Sequence, residues 1–130
     1  MGSKTAIITG STKGIGKAIA LKLASQNYNV VLNYASDDER AQETLQLCRQ
    51  INPQVLLVKA DISNKQAVEK LMQAAFEKFH SLDVLVNNAA RVADKPLHAM
   101  SEEDWNSVVD TNMKGTLSMG NKLSLMVVNI

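Results

Sequence analysis

The chain is poor in cysteine, aromatic residues and net charge, and each shortage excludes a class of function. Its single cysteine, Cys48, rules out an internal disulfide and points to a reducing, cytoplasmic setting. A net charge of +1 supplies no field for nucleic acid or an anionic membrane. Aromatic residues make up 4% of the chain, and none interleaves with a basic patch. No apolar run approaches the ~18 residues of a membrane span. The first residues lead straight into a strand-like run, with no room for a signal-peptide apolar region. Ala6 departs from the Ser or Thr of the N-myristoylation pattern. His80 and His98 lie far apart and match no metal-ligand spacing, so no metal is expected.

What is present reads as one soluble domain. The chain has 130 residues, 45% apolar and 21% charged, enough for one core and too few for two ordinary ones. Short runs rich in Val, Ile and Leu at 5–9, 29–33, 55–59, 83–86 and 126–130 read as strands covered on both faces. Helical stretches fill the gaps. Ile15, Ile19 and Leu23 mark one face of the first. Val68, Leu71, Met72, Ala75, Phe76 and Phe79 follow helical spacing in the third. Asp37 or Ser36 is placed to cap the second helix, which Pro53 ends, and Ser101 to start a helix around Trp105. Cys48 reads as a half-buried helix residue and Trp105 as a packing anchor. Strands alternating with helices predict an α/β, doubly wound parallel sheet.

The most informative stretch is TGSTKGIG, residues 9–16. It follows the first strand and opens the first helix. Gly10, Gly14 and Gly16 leave bare backbone for a pyrophosphate, with free N–H groups and positive dipole at the helix N-terminus. Lys13 sits inside this loop. It is either a solvated surface lysine or a contact to a 2′-phosphate. The second strand favours the phosphate, because it runs out in Asn33, Tyr34, Ala35 and Ser36 without the acid that would hold ribose hydroxyls and repel a phosphate. Asn33 or Ser36 would donate hydrogen bonds instead. An exposed lysine–phosphate pair is worth on the order of 1 kcal/mol or slightly more, approaching roughly tenfold in affinity, so NADP(H) is favoured over NAD(H).

The spacing G-xxx-G-x-G between a first strand and a first helix resembles the short-chain dehydrogenase/reductase family. Three further motifs carry the resemblance: Asp61 in ADIS after the third strand, NNAA at residues 87–90 after the fourth, and Asn112 in DTNMKG. The resemblance implies a Rossmann-type fold and reversible hydride transfer between a nicotinamide and a small-molecule carbonyl or alcohol. It places Gly10, Ser11, Gly14, Ile15 and Gly16 around the pyrophosphate, Asp61 and Ile62 at the adenine, and Asn87, Ala89 and Ala90 at the ribose. It gives Asn112 the catalytic role of holding a water in a proton relay. Plainer readings stand beside these: Asp61 as the cap of a helix starting near Asn64, Asn87 and Asn88 as turn residues, Asn112 as a helix cap. Ala90 replaces the family's usual glycine. The loop and the Asn33-Tyr34 strand end look most like the 3-oxoacyl-carrier-protein reductase branch.

The family's catalytic Ser and Tyr-xxx-Lys follow the fifth strand, where this sequence stops; Tyr28 and Tyr34 lie in the nucleotide half and cannot replace them. Residues 1–130 therefore read as a nucleotide-binding domain that lacks most of its chemistry and is inactive alone. The return from Asn112 is also short. A helix of about eleven residues covers only ~16 Å, against the ~20 Å of a six-residue strand. The expectation is a longer physical protein, with extra residues between Asn112 and Met126 and a Ser, Tyr and Lys beyond Ile130, assembling as a homodimer or homotetramer. The rival reading is a non-catalytic nucleotide-binding or interaction module.

Overall fold

The computed structural model describes residues 3–88, 91, 92, 95, 96 and 125–130. Strands β1 (Thr5–Ile8), β2 (Asn29–Tyr34), β3 (Val55–Lys59), β4 (Val84–Asn87) and β7 (Met126–Asn129) form one sheet in the order β3-β2-β1-β4-β7. Every pairing in it is parallel. Each strand matches an expected run to within a residue at either end. A short antiparallel pair, β5 (Arg91–Val92) with β6 (Lys95–Pro96), was not expected. The expected helix around Trp105, together with His98 and Asn112, lies outside the described residues.

Alternation along the central strands builds two cores. Ala6, Ile8, Val30, Leu32 and Val86 pack with Ala20 and Ala24 of α1 (Gly14–Ser25) and Leu45 and Cys48 of α2 (Asp38–Ile51). Ile7, Val31 and Leu85 pack on the opposite face with Val68, Leu71, Met72, Ala75 and Phe76 of α3 (Lys65–Phe79). A period of two puts neighbouring strand residues on opposite faces, so β1 and β2 are buried along their whole length. The α3 pattern appears as expected, with Phe79 at its margin.

Two side-chain placements differ from expectation. Ile15 is 65% exposed; the buried stripe of α1 consists of Gly16, Ala20 and Ala24, with Ile19 and Leu23 only partly covered. Small residues let α1 lie close to the sheet, and the first turn lifts Ile15 clear of it. Cys48 is fully buried rather than half-buried, because α2 turns it onto Leu45 and Val55 in the core. The capping expectations resolve cleanly. Asp37 caps α2, accepting from the Arg40 N–H at 3.2 Å. Asn64, not Asp61, caps α3, accepting from the Gln66 and Ala67 N–H groups. The exposed His80 ends α3 in a left-handed conformation.

The strand order reverses at β1. From there the chain runs outward through β2 and β3 on one side, and through β4 and β7 on the other. In open parallel sheets a reversal of this kind leaves a crevice beyond the C-terminal strand ends.

Candidate functional site: a cleft at the C-terminal sheet edge

The loop from β1 to α1 is fixed from three directions. From β2, the Asn33 N–H donates to Ser11 Oγ at 2.9 Å, while the Ser11 N–H donates back to the Asn33 carbonyl at 2.9 Å. From β4, Asn88 donates through Nδ2 to the Gly10 carbonyl and through its backbone to Thr9 Oγ1, each at 3.0 Å. From α2, Thr44 donates to the Thr12 carbonyl at 3.0 Å. Gly10 and Gly14 take left-handed φ values of 58° and 59°, the region a side chain resists.

This anchoring presents the start of α1 as an anion site. Lys13 is its N-cap and no side chain caps the helix. The N–H groups of Gly14, Ile15 and Gly16 have no carbonyl four residues upstream within the helix. No acid lies in the first turn. A Cβ at Gly14 would meet nothing within 4 Å, so the backbone there is open to a ligand. A Cβ at Gly16 would fall 2.5 Å from Asn88 Nδ2 and 2.6 Å from the Gly10 carbonyl oxygen. Only glycine lets the loop fold back onto the helix at that point. Bare backbone, free donors and helix dipole fit a dinucleotide pyrophosphate.

A cleft of about 590 Å³ opens from this loop across the ends of β2 and β3. Of the residues expected at the site, Gly10, Lys13, Gly14, Ile15, Asn33, Ser36, Asp61 and Ile62 line it. Ser11 and Gly16 are buried beneath it. Ala89, Ala90 and Asn112 lie outside the described residues. Asn87 does not line the cleft; its Nδ2 donates to Asn129 Oδ1 on β7 at 2.8 Å. The neighbouring Asn88 lines it instead. Asn33 is reached by the cleft, but its side chain is committed: Oδ1 accepts from the Gly10 N–H, and Nδ2 donates to the Val58 and Ala60 carbonyls. Asp61 Oδ1 accepts from the Ser63 N–H and hydroxyl, closing the turn into α3.

Tyr34, expected only as part of a strand end, Asp37, expected only as a helix cap, and Arg40, not singled out from the sequence, also line the cleft. The Tyr34 hydroxyl donates to Asp38 Oδ1 at 2.9 Å, and Lys59 Nζ lies 3.2 Å from the same oxygen. The hydrogen bond from Tyr34 and then the Lys59 ammonium hold the Asp38 carboxyl below its usual range. The same bond to Asp38 leads the causes that raise the Tyr34 phenol. Tyr34 is thus a neutral, fixed wall. Among the described residues no cluster of His, Cys, Asp or Glu could hold a metal ion.

A family model described as short chain dehydrogenase matches residues 4–128. Glucose 1-dehydrogenase 2 of Bacillus subtilis is 45% identical over 123 residues, covering 94% of this chain and 47% of its own length. A 3-oxoacyl-(acyl-carrier-protein) reductase of Staphylococcus aureus is 37% identical over 116 residues, covering 89% and 47%. The chain spans about half the length of these relatives. Among solved structures, a short chain dehydrogenase from Mycobacterium avium superposes with a TM-score of 0.73 at 26% identity, over 98% of this chain and 54% of that one. An NADH-dependent reductase complexed with NAD superposes at 0.64 with 33% identity, over 91% and 49%.

Proposed function

The chain belongs to the short-chain dehydrogenase family, and from that premise we propose that it forms the dinucleotide-binding part of an NADP(H)-dependent oxidoreductase. The observation that carries the reading is the cleft running from the uncapped N-terminus of α1 across the ends of β2 and β3. The N–H groups of residues 14–16 bind the pyrophosphate. Ser11, Thr44 and Asn88 hold those donors in place before a ligand arrives. Lys13 takes the 2′-phosphate. Asp61 and Ile62 border the adenine, and Tyr34 closes the wall beside them. Asn33 acts by fixing Gly10 rather than by touching the ligand. Asn88 lines the cleft just past β4, and the family resemblance assigns Ala89 and Ala90 to the ribose. Bound there, the nicotinamide would supply or accept the hydride in reversible reduction of a carbonyl.

Asn112 keeps the role the resemblance implies, holding a water that passes a proton to the reacting oxygen. A Ser and a Tyr-xxx-Lys elsewhere in a longer protein would complete that relay. The 130-residue chain alone binds cofactor without turnover, since an absent general acid forfeits about 10²–10⁴-fold in rate. The Staphylococcus relative supports a 3-oxoacyl-carrier-protein reductase-like substrate. The more similar Bacillus relative supports a second reading, an aldose such as glucose oxidised at its C1 hydroxyl. The whole protein is proposed to be a cytoplasmic homodimer or homotetramer. Among the described residues no helix is long and apolar enough to cross a membrane.

Calorimetric titration with NADPH and NADH tests the core of this reading. NADPH should bind more tightly than NADH, and a simple ketone added with NADPH should be left unreduced. Equal affinities would overturn the cofactor preference. Failure of both to bind would return the chain to the interaction-module reading. Intact mass of the native protein tests the longer chain.

A further inference from the structure

We propose that Thr44 is a positioning residue for the dinucleotide: its hydroxyl sets the peptide between Thr12 and Lys13 so that the anion site meets a donor and not a carbonyl. The inference rests on the dinucleotide reading above and adds to it a side chain of α2 that does not line the cleft.

Thr44 shares the buried stripe of α2 with Ala41, Leu45 and Cys48 and is fully buried. A hydroxyl is out of place there. Threonine is a weak helix former, and burying its hydroxyl without a partner is costly. Inside a helix that hydroxyl commonly bonds the carbonyl four residues back. Here it donates to the Thr12 carbonyl at 3.0 Å, 32 residues earlier in the chain.

The ties from β2 and from Asn88 hold residues 9–11 of the loop. Thr44 holds the next one, Thr12, the last residue before the Lys13 N-cap. No peptide bond among the described residues is cis, and a trans peptide points its N–H opposite to its carbonyl. With the Thr12 carbonyl turned into α2, the Lys13 N–H points away from α2. Among the described residues no group accepts from that N–H. Thr12 and Lys13 both line the cleft, so the N–H joins those of residues 14–16 at the pyrophosphate. Without the Thr44 hydroxyl, the Thr12 carbonyl would be buried without a partner. It would gain by turning toward water in the cleft, which draws the donor away and sets an oxygen against the ligand's charge.

The test is titration of the full chain with NADPH and with adenosine, which carries no phosphate. Thr44→Val removes the hydroxyl and keeps the shape. It should weaken NADPH binding roughly three- to tenfold and leave adenosine binding unchanged. Thr44→Ser should restore most of the lost affinity. Cys48→Ala, in the same buried stripe, should lower stability without moving NADPH affinity. In the unaltered chain the Lys13 amide proton should shift downfield in NMR spectra as NADPH is added, a readout that needs no variant to fold. An unaltered chain that binds no NADPH overturns the dinucleotide reading and this inference with it. Where it does bind, four results each overturn the role of Thr44 and leave that reading standing. These are undiminished affinity in Thr44→Val, no recovery in Thr44→Ser, an equal loss in Cys48→Ala or for adenosine, and an unmoved Lys13 amide.

Discussion

Asn33 is bonded through its side chain to Gly10, 23 residues earlier in the chain, at 3.2 Å. Its amide nitrogen reaches the carbonyls of Val58 and Ala60 at 3.3 and 3.2 Å. One buried carboxamide therefore ties the glycine loop to the ends of β2 and β3. Replacing it tests whether it is a scaffold or a ligand donor. Asn33→Asp keeps the acceptor for Gly10 but sets carboxylate oxygens against two carbonyls. It should cost about 2–3 kcal/mol of stability, read from urea unfolding. A variant of unchanged stability that lost only cofactor affinity would instead make Asn33 a direct contact.

Gly16 and Gly14 should respond differently to alanine. At Gly16 the new methyl group meets the Gly10 carbonyl and Asn88 Nδ2 inside hard-contact distance. Overpacking of this kind costs roughly 1–3 kcal/mol, and it pushes the loop away from α1, so cofactor affinity should fall as well. At Gly14 the methyl group has free space, but φ is 59°. The cost there should be about 1–2 kcal/mol, from backbone conformation alone. Thermal melts of both variants beside NADPH titrations would separate the two cases. Equal loss of affinity in both would show that loop closure at Gly16 is not what matters.

The contrast between these residues shows what a linear reading can reach. The five strands and α3 were legible because a doubly covered strand must be apolar throughout and a half-covered helix must repeat every three to four residues. The glycine loop was legible because its spacing is local. The duties of Asn33, Thr44 and Asn88 were not, because their partners lie 23 to 78 residues away. Asn87 and Asn88 are adjacent and chemically identical, and only the direction of the chain leaving β4 decides which one faces the cleft. Spacing grouped Ile15 with Ile19 and Leu23 on one face and ignored how the first turn stands off the sheet, although its place at the cofactor site was legible in the glycine loop. Asp37 was legible only as a helix cap, and Arg40 was not legible at all, because an acid–base pair at a helix start looks like ordinary surface.

Lys13→Ala should reduce the preference for NADPH over NADH several-fold, about the value of one exposed ion pair. Added salt should erode the preference of the unaltered chain toward that of the variant. Titrations at low and high ionic strength check both. A preference insensitive to salt and to the substitution would remove Lys13 from the phosphate site.

Burial raises the Cys48 thiol above its ordinary value of 9.0, with the Lys17 charge working weakly against it. The folded thiol keeps its proton at pH values where the unfolded one has lost it. Stability from this group is therefore level below about pH 9 and falls as pH rises above it. Cys48→Ala should lose roughly 1 kcal/mol of packing at neutral pH and show a shallower decline on the alkaline side. Urea titrations of both proteins from pH 7 to about pH 10.5 compare the slopes. Parallel curves would mean that Cys48 does not contribute to alkaline loss.

The three-sided anchoring of the glycine loop also has a kinetic meaning. Amide protons at Gly10 and Ser11 are held by β2, so they should exchange with solvent as slowly as those of the sheet, although they sit in a loop. Exposing them requires the loop to part from the end of β2 against its other anchors on α2 and past β4, which is a sub-global opening rather than a local fluctuation. A ligand meeting a loop already in its holding shape surrenders little chain entropy on arrival. Entry should then follow a single bimolecular phase, with a rate proportional to ligand concentration and no slower ordering step behind it.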